Sequence, residues 1–469
     1  MCVYIICVLC GLFVIFGGIC YSLFWHCQEF CVTLPLVNMR IVIIGAGAAG
    51  CFAAIEVKRR CPEAEVTVLE KGTKPLAKVA ITGGGRCNLT NSFAEVKSLE
   101  QVYPRGFRLL KKLFHHFSPE DAYEWFEREG VRLVTQDDEC VFPQSQDAME
   151  IVNKLIYLMN RHGVNTLCGC KVTEIAKRDE DSPTYAVTYT KAGNPHVIEA
   201  DKVIVTTGGH PSTSGFDMLK TLELEIVPPV PSLFSLCISD KSLTALMGTV
   251  VEQAQVSLAG TKIKTNGPLL ITHWGISGPA VLKLSSHGAR ILAEKNYQAD
   301  VIVNWLYEMS NDDVHNMLSA YVEKHSAKKI TSAYPSALNA RLWAHLVQRA
   351  KLSVDMRWSE LQGKAFNRLL SVLTSDTYHV TGKNRYKDEF VISGGVSLNC
   401  LKHDTLEAKN HPGLYFAGEV TDVDAVTGGF NLQAAWTMGY VVAEGITSPT
   451  ASPPALPRRE GACPRMETN

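Results

Sequence analysis

The sequence predicts an α/β fold: a buried parallel sheet whose chain is interrupted by a long insertion. Three observations carry that expectation. Residues 40–70 read as strand, glycine-rich turn, helix and strand. A second apolar strand at 201–205 runs into Thr-Thr-Gly-Gly209. The same kind of pattern then resumes only at 389–396 and 413–433.

Ile41, Val42, Ile43 and Ile44 form the short β-branched run of a strand covered on both faces. Gly45, Gly47 and Gly50 follow with GxGxxG spacing. The first glycine suits the tight turn, the second lets a pyrophosphate approach the backbone, and the third lets the helix pack close to the sheet. The helix start then offers N–H groups and the positive dipole end to phosphate. Glu70 closes the next strand 25 positions after Gly45, about where an acid accepts hydrogen bonds from an adenosine ribose. An acid there favours an unphosphorylated ribose, hence FAD or NAD over NADP. The competing reading is a βαβ unit with no nucleotide.

The bulk numbers narrow the class. At 469 residues, 46% hydrophobic and 20% charged, the chain has room for two or three ordinary globular domains. A net charge of −1 with no basic block argues against nucleic acid as a main partner. Of 15 cysteines, six (Cys2, Cys7, Cys10, Cys20, Cys27 and Cys31) precede the first strand, and the rest show neither CxxC pairs nor metal-ligand spacing. No metal site is expected, and a reduced, cytoplasmic compartment fits the main body. Cys168 and Cys170 read as two sides of a strand or turn.

Residues 1–38 stand apart. Residues 2–25 are apolar and uncharged, long enough to cross a bilayer. Three readings remain open: a membrane anchor, a signal peptide, and translated non-coding sequence upstream of Met39. A membrane is a partner only if this segment is real.

After Glu70 and Lys71, residues 78–91 carry Lys78, three consecutive glycines, Arg86, Cys87 and Asn88. Three glycines in a row cost backbone entropy and make sense where main chain touches a ligand. Cys87, with no partner cysteine nearby, reads as a packed small residue. Residues 104–165 look mainly helical, and 171–199 strand-like. The boundaries expected are 39–210 for a first nucleotide-binding part, 211–384 for an inserted substrate region, 385–447 for a second nucleotide-binding part, and 448–469 for a disordered Pro/Ala-rich tail. Within the insertion, His273 beside Trp274 in a Gly/Pro-dense run is the best pocket candidate for catalysis; a histidine satisfied in a tight turn is the alternative.

The fingerprint at 45–50, Gly-Gly-Gly-Arg-Cys-Asn-Leu-Thr-Asn at 83–91, Thr-His-Trp-Gly-Ile-Ser-Gly-Pro at 272–279, Ser-Gly-Gly-Val at 393–396 and the stretch at 416–433 together resemble the BaiN/YhiN-like NAD(P)/FAD-dependent oxidoreductases. Ala425 departs from the family pattern, which has glycine after Asp-Val-Asp. The resemblance implies a glutathione-reductase-like, two-part FAD-binding Rossmann domain with β-barrel-like and helical insertions. It implies that Gly45, Gly47, Ala48, Ala49 and Gly50 wrap the pyrophosphate and that Glu70, followed by Lys71, takes the ribose. Lys78, Gly84, Arg86, Cys87 and Asn88 would line the phosphate and flavin side. Thr207 and Gly208 would close the adenosine side, and Gly418 and Glu419 would reach the ribityl chain. Gly429, Phe430, Asn431 and Leu432 would open a helix toward the flavin N1–C2=O edge, where reduced flavin carries negative charge.

The expectation is an FAD-dependent oxidoreductase moving a hydride between the flavin and a small organic substrate or NAD(P)H. Downstream of the first strand the chain has no second strand–GxGxxG–helix unit and no CxxxxC pair, so NAD(P)H, if used, docks transiently at the flavin. The alternatives are an aminoacetone-type amine oxidase using oxygen and a non-catalytic flavin-binding regulator. A tRNA flavoprotein and an NAD-only dehydrogenase fit the charge and the later motifs less well. Substrate and oligomeric state are not readable from the chain.

Overall fold

The computed structural model describes residues 38–178, 184–307, 309–384 and 391–448. The apolar segment 2–25 and the tail beyond residue 448 lie outside the described residues. Among the described residues no helix is long and apolar enough to cross a membrane. The chain divides between Met39 and Arg40, and everything below belongs to the second unit.

Five parallel strands form the central sheet: β1 (Arg40–Ile44), β2 (Glu65–Glu70), β3 (Asn165–Cys168), β4 (Lys202–Val205) and β5 (Leu414–Phe416), in the order β5-β4-β1-β2-β3. Ile41 to Ile44 are all buried, as a continuous apolar run covered on both faces requires. Between β1 and β2 runs helix α1 (Ala48–Arg60), buried from Ala49 through Val57. It is enclosed because the last helix, α3 (Phe430–Thr447), lies against it. The approach is close: a Cβ on Gly439 would stand 2.8 Å from the carbonyl oxygen of Ala49. The residues after β2 form helix α2 (Ala77–Gly85), whose helical geometry breaks at Thr82, Gly83 and Gly84.

The stretch expected to be mainly helical holds three helices, Phe107–Leu113, Pro119–Arg128 and Ala148–Arg161. Between the last two lie the strands Leu133–Thr135 and Cys140–Pro143, which join Thr90–Asn91 in a small antiparallel sheet. The helical pattern is cut there by Gly130, at φ +81°, and the buried Val141 and Phe142 suit a strand. Cys168 ends β3, Gly169 turns at φ +70°, and Cys170 starts the next strand. Cys170–Lys177, Tyr185–Lys191 and Asn194–Ala200 then form an antiparallel meander.

Strand Ile226–Ser232 pairs antiparallel with Val391–Val396, so entry to and return from the insertion lie side by side. Beyond this connector is a closed six-stranded barrel of Leu236–Ile238, Gly275–Ser277, Lys264–Thr272, Val250–Leu258, Ala299–Asn304 and Asp376–Lys383. The helices Asn311–His325, Ala340–Arg349 and Gly363–Ser375 interrupt it between its last two strands in sequence. Barrel and helices share one core, with Trp305, Trp343 and Trp358 wholly buried.

Candidate functional site

The site grows from the carboxyl edge of the sheet. Gly45 leaves β1 at φ +104°, and a Cβ there would stand 2.5 Å from the Thr206 carbonyl oxygen. On Gly50 it would meet the Gly45 oxygen at 2.1 Å. Both positions therefore exclude a side chain. Gly47 is different: nothing lies within 4 Å of its added Cβ, so open space faces the backbone. Gly47 caps α1 with no side-chain hydrogen bond, which leaves Ala48, Ala49 and Gly50 to present N–H groups to an anion. Glu70 accepts from Ala46 N at 2.8 Å and Gly72 N at 2.6 Å. A carboxylate has about four acceptor positions, so two remain for sugar hydroxyls. Lys71, next along, is exposed.

Distant segments converge on this turn. Gly418 packs so close that its Cβ would lie 3.1 Å from that of Ala49. Glu419 pairs with Lys78 at 3.3 Å, accepts from Ile392 N at 2.9 Å, and lies 2.8 Å from where a Cβ on Gly209 would be. It thereby joins α2, the connector and the end of β4. The Gly83–Gly85 backbone is left-handed, and open space faces Gly84 and Gly85. Asn88, with its amide turned to suit both neighbours, donates to Thr90 O at 2.9 Å and accepts from Gly429 N at 3.2 Å. This ties the triple-glycine loop to the start of α3. Gly429, at φ +87°, begins that helix without a side-chain cap.

Several predicted side chains have other work. Arg86 lies over the Phe142 ring at 4.4 Å and bonds Gln146 at 3.3 Å. Cys87 is wholly buried, and burial pushes its thiol up to about 12, so it is no thiolate. Phe430 packs edge-on against Phe93, and its carbonyl accepts from Tyr103 Oη at 2.8 Å. Asn431 clasps both the N–H and the carbonyl of Ala425, at 2.9 and 3.0 Å. At Cys87, Phe430 and Asn431 the backbone is what remains to meet a ligand.

His273 is exposed on the tight turn between Lys264–Thr272 and Gly275–Ser277, its ring edge-on to Trp274 at 4.4 Å. Among the described contacts none joins it to the glycine cluster. Sequence reasoning missed His210, whose Nε2 is buried beside Gly215 with no partner among the described residues. Burial and the nearby Lys71 and Lys78 lower its pKa. Its position directly after Gly208-Gly209 at the sheet edge was the available signal. It also missed a cleft of about 500 Å³ between the chain at 98–105 and the barrel, walled by Gln101, Arg105, His287 and Arg290. Burial lowers the His287 pKa. Its Nε2 lies 3.1 Å from the Gln101 carbonyl, which can only accept, so the neutral ring donates there.

The residues fit a dinucleotide. Open space faces Gly47, Gly84 and Gly85, both helix starts lack side-chain caps, and the buried Thr207 Oγ1 next to Gly208 has no partner among the described residues. Among the described residues no group of three or more His, Cys, Asp or Glu is placed to hold a metal.

The profile described as the HI0933-like protein Rossmann domain matches residues 39–445. The chain belongs to the HI0933-like family. Two bacterial relatives are each 28% identical to this HI0933-like protein. One is named 3-dehydro-bile acid delta(4,6)-reductase, from Clostridium scindens, with 86% of this chain and 97% of that one aligned. The other is a ribosomal RNA dihydrouridine synthase from Escherichia coli, with 88% and 98% aligned. Among solved structures, the 3-ketosteroid-delta4-(5alpha)-dehydrogenase of Rhodococcus jostii is 13% identical, with a TM-score of 0.48, covering 89% of this chain and 99% of that one.

Proposed function

We propose that this HI0933-like protein is an FAD-dependent oxidoreductase that moves a hydride to or from a carbon–carbon bond conjugated with a carbonyl. The observation that carries the proposal is the meeting of four sequence-distant backbone segments, around Gly47, Gly84, Gly418 and Gly429, on one sheet edge. The names of the two relatives support the substrate class. Both a delta(4,6)-reductase of a 3-oxo bile acid and a dihydrouridine synthase saturate a double bond conjugated with a carbonyl.

The Gly45–Gly50 turn and the start of α1 hold the pyrophosphate. Glu70 accepts the ribose hydroxyls, and Lys71 and Lys78 offset the phosphate charge. Thr207 and Gly208 close the adenosine side, while Glu419 meets the ribityl hydroxyls. FAD bound there supplies two-electron hydride chemistry. The start of α3, held by Asn88, stabilises negative charge at the pyrimidine edge. Saturation needs a hydride at the β-carbon and a proton at the α-carbon. NAD(P)H is the proposed reductant.

The test mixes FAD-loaded protein anaerobically with NADH or NADPH, then with a 3-oxo-Δ4 steroid, uridine or a uridine-containing RNA. Bleaching by a nicotinamide and recovery of colour with an unsaturated carbonyl are expected. No bleaching, with amine-dependent oxygen uptake, would instead favour an oxidase. Bound FAD that no compound reduces or reoxidises faster than free flavin would favour a regulator.

A further inference from the structure

The Asp422-Val423-Asp424 run lies in a motif stretch to which the family resemblance assigns no role. Its two carboxylates face two arginines from two other parts of the chain. Asp422 accepts Nη2 of Arg290, on the barrel-side helix Ala289–Glu294, at 2.6 and 2.8 Å. Asp424 has a side chain shut off from solvent. It accepts both Nε and Nη2 of Arg105, and the Ser232 hydroxyl of the connector strand at 3.1 Å. Arg105 spends its remaining nitrogen on the Ser286 carbonyl at 2.8 Å, at the end of helix Pro279–His287.

The main chain follows the same pattern. Asp422 N donates to Val396 O at 3.0 Å, and Val426 N to Val102 O at 2.9 Å. Three modules thus meet at one loop: the first nucleotide-binding part through Val102 and Arg105, the connector through Ser232 and Val396, and the barrel through Ser286 and Arg290. The Arg105–Asp424 pair, 11% and 0% exposed, contributes little net stability against an apolar replacement, yet losing one partner is costly. The Arg290–Asp422 pair, with its arginine 43% exposed, contributes less still. Their clearer effect is to favour one arrangement over its neighbours.

The loop also leads straight to the start of α3. Four residues separate Asp424 from Gly429. Asn431 clasps Ala425 at one end of that span, and Asn91 Nδ2 holds Gly428 O at 3.2 Å at the other. A shift at Asp424 is therefore passed to the start of α3.

We propose that Asp422, Asp424, Arg105 and Arg290 form an ionic hub that docks the barrel on the nucleotide domain and sets the distance of the Gly429 helix start from the flavin. They are positioning residues and act through the α3 backbone. The effect on the flavin rests on the FAD reading above; the docking does not.

The test uses the full chain loaded with FAD, the variants Arg290→Asp and Asp422→Arg, and the two combined. Amide hydrogen exchange is followed in 226–232, 279–294 and 421–433, together with the ratio of oxidised to reduced flavin at a fixed poise. Each single change is expected to speed exchange several-fold in all three segments and to shift the flavin ratio; the charge-swapped pair restores both. Where Asp422→Arg does not fold, Arg290→Lys recovering what Arg290→Gln loses makes the same comparison. Unchanged exchange, exchange raised only around the substituted residue, or no recovery would overturn the docking. Raised exchange with an unchanged flavin ratio would overturn the positioning role. A wild-type chain that takes up no FAD would refute the cofactor reading, and with it the positioning role, while exchange still decides the docking.

Discussion

Gly45, Gly47 and Gly50 share one motif but answer to different physics, and single substitutions separate them. Gly50→Ala drives a Cβ to 2.1 Å from the Gly45 oxygen. The turn must shift, at a cost of about 1–3 kcal/mol, so a lower melting temperature and lower FAD content are expected together. Glu70→Gln keeps the shape but removes the charge that holds two backbone donors and, by our reading, the ribose. FAD affinity should fall by about tenfold, roughly one charge-assisted hydrogen bond, in an equilibrium titration. Cys87 tests the opposite kind of residue. Its thiol is raised from 9.0 to about 12, so the folded protein keeps that proton while the unfolded chain loses it. Stability contributed by Cys87 is present below pH 9 and declines as pH rises toward 12. Native protein at pH 8 should leave Cys87 unmodified by a thiol reagent, and Cys87→Ala should keep its FAD.

Among the elements, α1 and α3 carry the site, and the contact between them is where it can be damaged from a distance. A Cβ at Gly439 already falls 2.8 Å from Ala49 O. Gly439→Val therefore wedges α3 away from α1, whose start faces open space at Gly47. Loss of stability and of FAD is expected, measured by thermal melting and flavin release, although residue 439 lies ten positions along the chain from Gly429. The barrel turn is the contrasting case. His273 is exposed and joined by no described contact to the glycine cluster, so His273→Ala should leave FAD content and turnover unchanged. The two elements also differ in how far the sequence revealed them. Buried parallel strands and glycine turns announce themselves locally, through β-branched runs and spacings that only close backbone approach explains. His273 stood out because Gly and Pro crowd around it; in the structure they shape the turn of a small barrel, with Gly275 at φ +151°. The strands at 133–135 and 140–143 were hidden by their shortness and by the helical runs on both sides.

At the scale of the whole molecule, the glycine-rich segments could be picked out in the sequence, but not what holds them together. The glycine motifs stood out one at a time, and the family resemblance joined them. The pairing of Ile226–Ser232 with Val391–Val396, the arginines that meet Asp422 and Asp424, and the cleft containing His287 all depend on residues more than a hundred positions apart. No local period encodes such contacts. The central claim is that these pieces close around a single flavin dinucleotide. Its most direct test is the FAD content of the purified full chain, after reconstitution if necessary, read from its visible absorbance and from the nucleotide released on denaturation. One FAD per chain, lost in Gly50→Ala, is the predicted result. A colourless chain that takes up no FAD from solution would contradict it.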